Sequence, residues 1–212
     1  MAEFSVDVNA RVDQYLPVLV AEMRQHWKEI PQHDYIYFAG QVEQETCPSL
    51  SHRKCWNPKT ELKTSREYGF GLGQLTITPK YDNFKAATKL HSSLSDWKYE
   101  DRYNPSYQLR TMIYMNKVVY NRLKDVNGLD KYAMTFVAYN GGLGGLLSDR
   151  RICSSVKGCN PSLWFGHTEK YSLKAKTKVH GYGKSFFEIN REYPRNILFI
   201  RSKNYIDKIR SL

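Results

Sequence analysis

The chain has no run of apolar residues near the roughly 18 that a membrane-spanning helix needs, so no membrane span is expected. Met1 to Asn9 carries no basic stretch followed by an apolar one, the pattern of a secretory signal, and synthesis as a soluble cytosolic chain is the expectation. Repeats, heptads and low-complexity linkers are missing too, which excludes solenoids, long coiled coils and disordered tethers. Glycines do cluster, but no Gly-Lys-Ser/Thr follows them, and a phosphate-binding loop is excluded. None of the usual nucleic-acid-binding motifs occurs, and no nucleic acid is expected as a partner. Cysteine is scarce, with four residues in two local pairs, Cys47 with Cys55 and Cys153 with Cys159. Only His52 lies close by and the spacing is wider than zinc sites use, so neither a metal nor another cofactor is expected. Each pair either closes a short loop in an oxidising compartment or stays reduced.

What is present is a globular composition, with 41% hydrophobic and 25% charged residues over 212 positions, a length that suits one domain with a well-buried core. The formal net charge of +11 draws in polyanions. Charge alone does not separate nucleic acid from anionic cell-envelope polymers. The basic residues are dispersed, with a modest concentration from Lys170 to Arg210.

Periodicity predicts a mainly α fold with at most a small β-hairpin. Val12, Leu16, Leu19, Val20, Met23 and Trp27 recur at helical spacing and predict an amphipathic helix ending near Pro31. Tyr35 to Glu45 is denser in apolar residues and predicts a buried helix. Thr46 to Tyr68 reads as loops with room for a short hairpin. Further helices are predicted over Asn83 to Leu90, Asn104 to Leu123 and Leu129 to Tyr139, the last stopped by Asn140-Gly141-Gly142. Gly141 to Gly183 reads as an irregular basic region, and Ser185 to Leu212 as helical with an interruption at Pro194.

Three features carry chemistry. Glu45 ends an apolar segment, which is where a carboxyl can be held protonated for donation to a glycosidic oxygen. Glu43 is the alternative acid, but helical spacing turns it to a different face. Gly69, Gly71 and Gly73 alternate with Phe70 and Leu72, giving a bare backbone strip that a bulky ligand can approach, and Gln74 adds an amide at its end. Tyr139, Asn140 and the glycines after them form a second small-residue turn. Trp56, Tyr68, Phe70, Tyr139 and Tyr193 are available either to stack on sugar rings or to pack the core.

Four segments stand in a recognisable order: Glu45-Thr46, Trp56-Asn57-Pro58, Gly69-Phe70-Gly71-Leu72-Gly73-Gln74 and Ala138-Tyr139-Asn140-Gly141-Gly142. This order resembles the lytic transglycosylase family of the lysozyme superfamily, and Arg191 to Leu198 is similar to that family's C-terminal segment. The resemblance spans Tyr35 to Leu198, with Thr46 for the usual Ser, Gly73 for Met, Gly141 for Ala, and an insert from Cys47 to Cys55. It implies a single lysozyme-like (α+β) catalytic domain with a substrate cleft over residues 1–212, without a separate wall-binding domain. Glu45 matches the catalytic acid/base, while Gln74, Tyr139, Asn140, Tyr193 and the Phe70, Gly71 and Leu72 strip match substrate-binding positions.

Goose-type lysozymes, a sister group, keep an aspartate where this chain has Thr76. Ordinary glycosidases use two carboxylates. With one missing, the resemblance implies attack by the C6 hydroxyl of N-acetylmuramic acid on its own C1, leaving a 1,6-anhydro end. A hydrolytic muramidase using Glu67 as base, or a non-catalytic wall-binding protein, are the alternatives. A small basic chain of this kind looks like a bacteriophage endolysin: a monomer made in the host cytoplasm, acting on periplasmic peptidoglycan strands after release.

Overall fold

The computed structural model describes residues 3–212 and divides into two compact units, one formed by residues up to Met115 together with Ile200–Leu212, the other by Asn116–Phe199. It is mostly helical, with one small three-stranded antiparallel sheet.

In the first unit, Ser5 caps helix α1 (Val6–His26) by accepting from the Val8 N–H at 3.3 Å, and Val8, Val12, Leu16, Leu19 and Met23 are buried along one stripe. α1 stops at His26 and not near Pro31. Trp27, 1% exposed, leaves helical angles while its N–H still reaches the Met23 carbonyl, so burial of the indole turns the chain a full turn early. A short turn at Gln32–Asp34 leads into α2 (Tyr35–Thr46). α2 is buried over most of its surface, packing against α1, the Arg201–Tyr205 turn and α8 (Ile206–Arg210). It is the central helix of this unit.

The sheet pairs β1 (Glu61–Lys63) with β2 (Tyr68–Phe70) and β2 with β3 (Leu75–Ile77), in the register Glu61 opposite Phe70 and Phe70 opposite Leu75. The Thr64 hydroxyl closes the first turn by accepting from the Arg66 and Glu67 N–H groups, both at 3.1 Å. Phe70 and Leu75 pack on a satellite core with Phe84 and Ala87 of α3 (Asn83–Ala87), Leu94, Trp97 and Tyr114. Tyr114 lies on α4 (Pro105–Arg122). The glycine strip is thus a central strand and its turn.

In the second unit, α5 (Gly128–Gly141) ends where Gly142 takes a φ of +82°. The region expected to be irregular after it contains α6 (Leu143–Ser154). Two glycines lower the helix propensity there, but Leu146, Asp149 and Cys153 are buried at helical spacing and tertiary burial prevails. Asp149, 1% exposed, accepts from Arg191 Nη2 at 2.9 Å and from the Ser172 hydroxyl at 2.8 Å. Arg191 sits on α7 (Phe186–Arg195), which Ser185 and Glu188 open with a reciprocal capping box. α7 runs through Pro194 to Arg195 before a wide turn at Asn196–Ile200.

Candidate functional site

Glu45 sits in the last turn of α2, two residues from Glu43, which places the two carboxylates about 200° apart around the helix. Glu43 points inward and is 2% exposed. It accepts from Arg201 Nη1 at 3.0 Å, Asn204 Nδ2 at 3.0 Å and the Tyr205 hydroxyl at 2.7 Å. Tyr205 in turn accepts from the Trp56 indole at 2.7 Å. Burial, reinforced by the Glu43 charge, pushes the Tyr205 phenol well above its ordinary pKa, so it stays a donor. Every strong donor around Glu43 is committed to structure.

Glu45 is half-buried and lines a cleft of about 300 Å³ in the first unit. The same cleft is bordered by Gln74, Lys54, Thr60, Glu61 and Arg201. Its wall is fixed locally. Thr46 donates its hydroxyl proton to the Val42 carbonyl at 2.7 Å and accepts the Trp56 N–H at 3.0 Å, a task that needs only a hydroxyl. Cys47 and Cys55 are joined by a disulfide, as are Cys153 and Cys159. The first bridge ties the end of α2 to the loop that returns at Trp56.

Gln74 reaches the cleft by way of a strained turn. It holds a φ of +45°, and its Nε2 donates to the carbonyls of Gly71 at 2.9 Å and Thr60 at 3.2 Å. Its Oε1 accepts no hydrogen bond from the described residues. Gly69 leaves room beside it, since a Cβ there would stand 3.1 Å from that oxygen and push the amide aside by a few tenths of an ångström. Gly71, at φ +80°, lies against the Gln108 amide, where a Cβ would come within 2.4 Å. Gln108 accepts the Leu72 N–H at 2.9 Å and donates to the carbonyls of Pro58 and Arg102. Phe70 and Leu72, expected among substrate-binding residues, are fully buried, so neither side chain offers a ligand-facing surface. Gly71 serves the same turn. The strip shapes the cleft by holding Gln74.

Glu61 was not among the expected residues. Its Oε1 accepts from both the Tyr68 and Tyr103 phenols, which hold its carboxyl below the usual range, with help from the Lys63 and Arg102 charges. Its partner Tyr103 lies 42 residues away, so no local pattern could have marked the pair. Glu67, the expected alternative base, sits in the β1–β2 turn and borders a separate groove with Lys63 and Arg66.

Tyr139, Asn140 and Tyr193 belong to the second unit. Asn190 Nδ2 donates to the Val137 carbonyl and to Asn140 Oδ1, joining the end of α5 to the helix that carries Tyr193. Gly141 is needed there, because a Cβ would meet Asn190 at 2.7 Å. Tyr139 is half-buried, Asn140 exposed and Tyr193 4% exposed. Among the described residues no cluster of His, Cys, Asp and Glu is placed to hold a metal ion, and no helix is long and apolar enough to cross a membrane. No protein-family model matches the chain, and no curated protein matches it.

Proposed function

We propose that this protein is a peptidoglycan-cleaving enzyme of lysozyme-like fold, a lytic transglycosylase that breaks the β-1,4 bond between N-acetylmuramic acid and N-acetylglucosamine. The observation that carries the reading is that Glu45 and Gln74, drawn from two separate sequence motifs, line one cleft while the neighbouring Glu43 is consumed by structure. Glu45, neutral, protonates the bridging oxygen as the C1–O bond breaks. The C6 hydroxyl of the muramyl ring then closes on C1, and its proton passes to Glu45. One residue serves as acid and then as base, and the product ends in a 1,6-anhydro ring.

A second reading, hydrolysis of the same bond, is favoured by Glu61, a second carboxylate bordering the cleft. The two phenols that keep Glu61 ionised also make it a weak base, which supports the transglycosylase first. The biological setting proposed is that of a phage endolysin, made in the host cytoplasm and acting as a monomer on periplasmic peptidoglycan. The net charge of +11 suits an anionic envelope, and two disulfides suit an oxidising compartment. Digestion of purified peptidoglycan tests the reading. Glu45→Gln is expected to abolish release of muropeptides from a folded protein, and unchanged release would sink it.

A further inference from the structure

The insert between Cys47 and Cys55 has no part in the proposed bond cleavage, yet it delivers a cation to the cleft. Lys54 is the residue before Cys55 and lines the cleft with Glu45 and Gln74. Its backbone is pinned on both sides: the Lys54 N–H donates to His52 Nδ1 at 3.1 Å, and its carbonyl accepts the Thr60 hydroxyl at 2.6 Å and the Asn57 N–H at 3.1 Å. With the adjacent disulfide, these bonds fix the backbone from which the Lys54 side chain extends. Its Nζ donates to the Glu61 backbone carbonyl at 3.0 Å, a neutral acceptor, and makes no ion pair with any described carboxylate.

The other cation of the cleft is already satisfied. Arg201 donates to Glu43 at 3.0 Å and to the Gln44 amide oxygen at 2.6 Å. Lys54 therefore brings a half-buried positive charge, held by a neutral carbonyl and in no ion pair among the described residues, to a groove proposed to bind a glycan. A neutral sugar polymer gives such a charge nothing to pair with. A muramyl ring does, because its O3 substituent carries carboxylates, either that of the lactyl group or those of the attached peptide.

We infer that Lys54 is a specificity-determining residue that recognises a carboxylate on the O3 substituent of the muramyl ring, selecting an anionic glycan over a neutral N-acetylglucosamine polymer. The inference rests on the reading of the cleft as a muramyl-glycan site. A charge-assisted hydrogen bond of this kind corresponds to about tenfold in affinity at a partly exposed position.

The test measures binding by calorimetry in the Glu45→Gln background, so that nothing is turned over. Three soluble ligands are compared: a muramyl glycan fragment with peptide stems, the same fragment with stems removed to leave free lactyl carboxylates, and a neutral N-acetylglucosamine tetramer. Lys54→Met is expected to weaken at least one muramyl fragment about tenfold and the neutral tetramer less than twofold, and Lys54→Arg to restore most of the loss. A loss confined to the stem-bearing fragment assigns the ligand to the peptide carboxylates, and a loss with the stem-free fragment assigns it to the lactyl group. Unchanged binding of both muramyl fragments, or an equal loss with the neutral tetramer, overturns the inference. Wild-type digestion of peptidoglycan with an inert Glu45→Gln, beside a Lys54→Met variant that binds normally, would leave the cleavage reading standing and remove this one alone. Lytic activity in Glu45→Gln would instead remove the cleavage reading.

Discussion

Replacing each of the two glutamates of α2 in turn separates structure from chemistry. Glu43→Ala removes an acceptor shared by Arg201, Asn204 and the fully buried Tyr205. The Tyr205 hydroxyl then lacks its strongest acceptor, at a cost of about 1–3 kcal/mol. Arg201 keeps Gln44 and is 22% exposed in its side chain, so its share is smaller, about 1 kcal/mol. With the space left by the side chain, the total is about 3–4 kcal/mol, at the lower end for breaking a buried pair. At a urea m-value of about 2 kcal/mol/M, the unfolding midpoint falls by roughly 1.5–2 M. Glu43→Gln keeps the volume but turns an amide donor toward existing donors, and about half the loss is expected. Glu45→Gln, at a half-buried cleft position, is expected to shift the midpoint by less than about 0.3 M. Urea unfolding followed by circular dichroism, with peptidoglycan digestion on the folded variants, reads both properties. A Glu43→Ala midpoint within about 0.3 M of wild type, or cleavage lost in folded Glu43→Gln and retained in Glu45→Gln, would refute the assignment of the two roles.

Three further outcomes are expected. Gly71→Ala imposes a side chain at φ +80° and drives a Cβ into Gln108, costing about 3–5 kcal/mol, whereas in a Gln108→Ala background only the backbone strain of about 1–2 kcal/mol remains; additivity of the two changes in a double-mutant cycle would contradict the contact. Reduction of the Cys47–Cys55 bridge, which closes a loop of sequence separation 8, should lower stability by about 2–3 kcal/mol, read as a lower urea midpoint in a variant lacking Cys153 and Cys159, and an unchanged midpoint would oppose it. Glu61 has a folded pKa below its usual 4.5, so it stabilises the fold above that value and the contribution is lost as pH falls through the folded pKa. Glu61→Gln should therefore flatten the acid side of the stability–pH profile, and a profile parallel to wild type would show that the phenol clamp is not formed.

The helices whose cores lie on one local stripe were legible in the sequence, and α2 above all, because its first half is densely apolar. α6 was hidden for the opposite reason. Gly144, Gly145 and a charged stretch argue locally against helix, and the decisive contacts come from Arg191 and Ser172, far along the chain. The end of α1 was misplaced because Pro31 is a visible stop signal, whereas the burial of Trp27 is a tertiary event. At the candidate site, helical spacing alone separated Glu45 from Glu43. Burial reassigned Phe70 and Leu72 from ligand to core, since alternation with glycine marks a strand but not which face meets a cleft. Glu61 and Lys54 carry no sequence signal, because a three-residue strand and a disulfide loop have no periodicity to announce them.

The most direct measurement is mass spectrometry of the soluble products from purified peptidoglycan treated with wild-type protein and with Glu45→Gln. The account predicts muropeptides ending in 1,6-anhydro-N-acetylmuramic acid from the wild type and none from the variant. Muropeptides released equally by both proteins, or by neither, would contradict it.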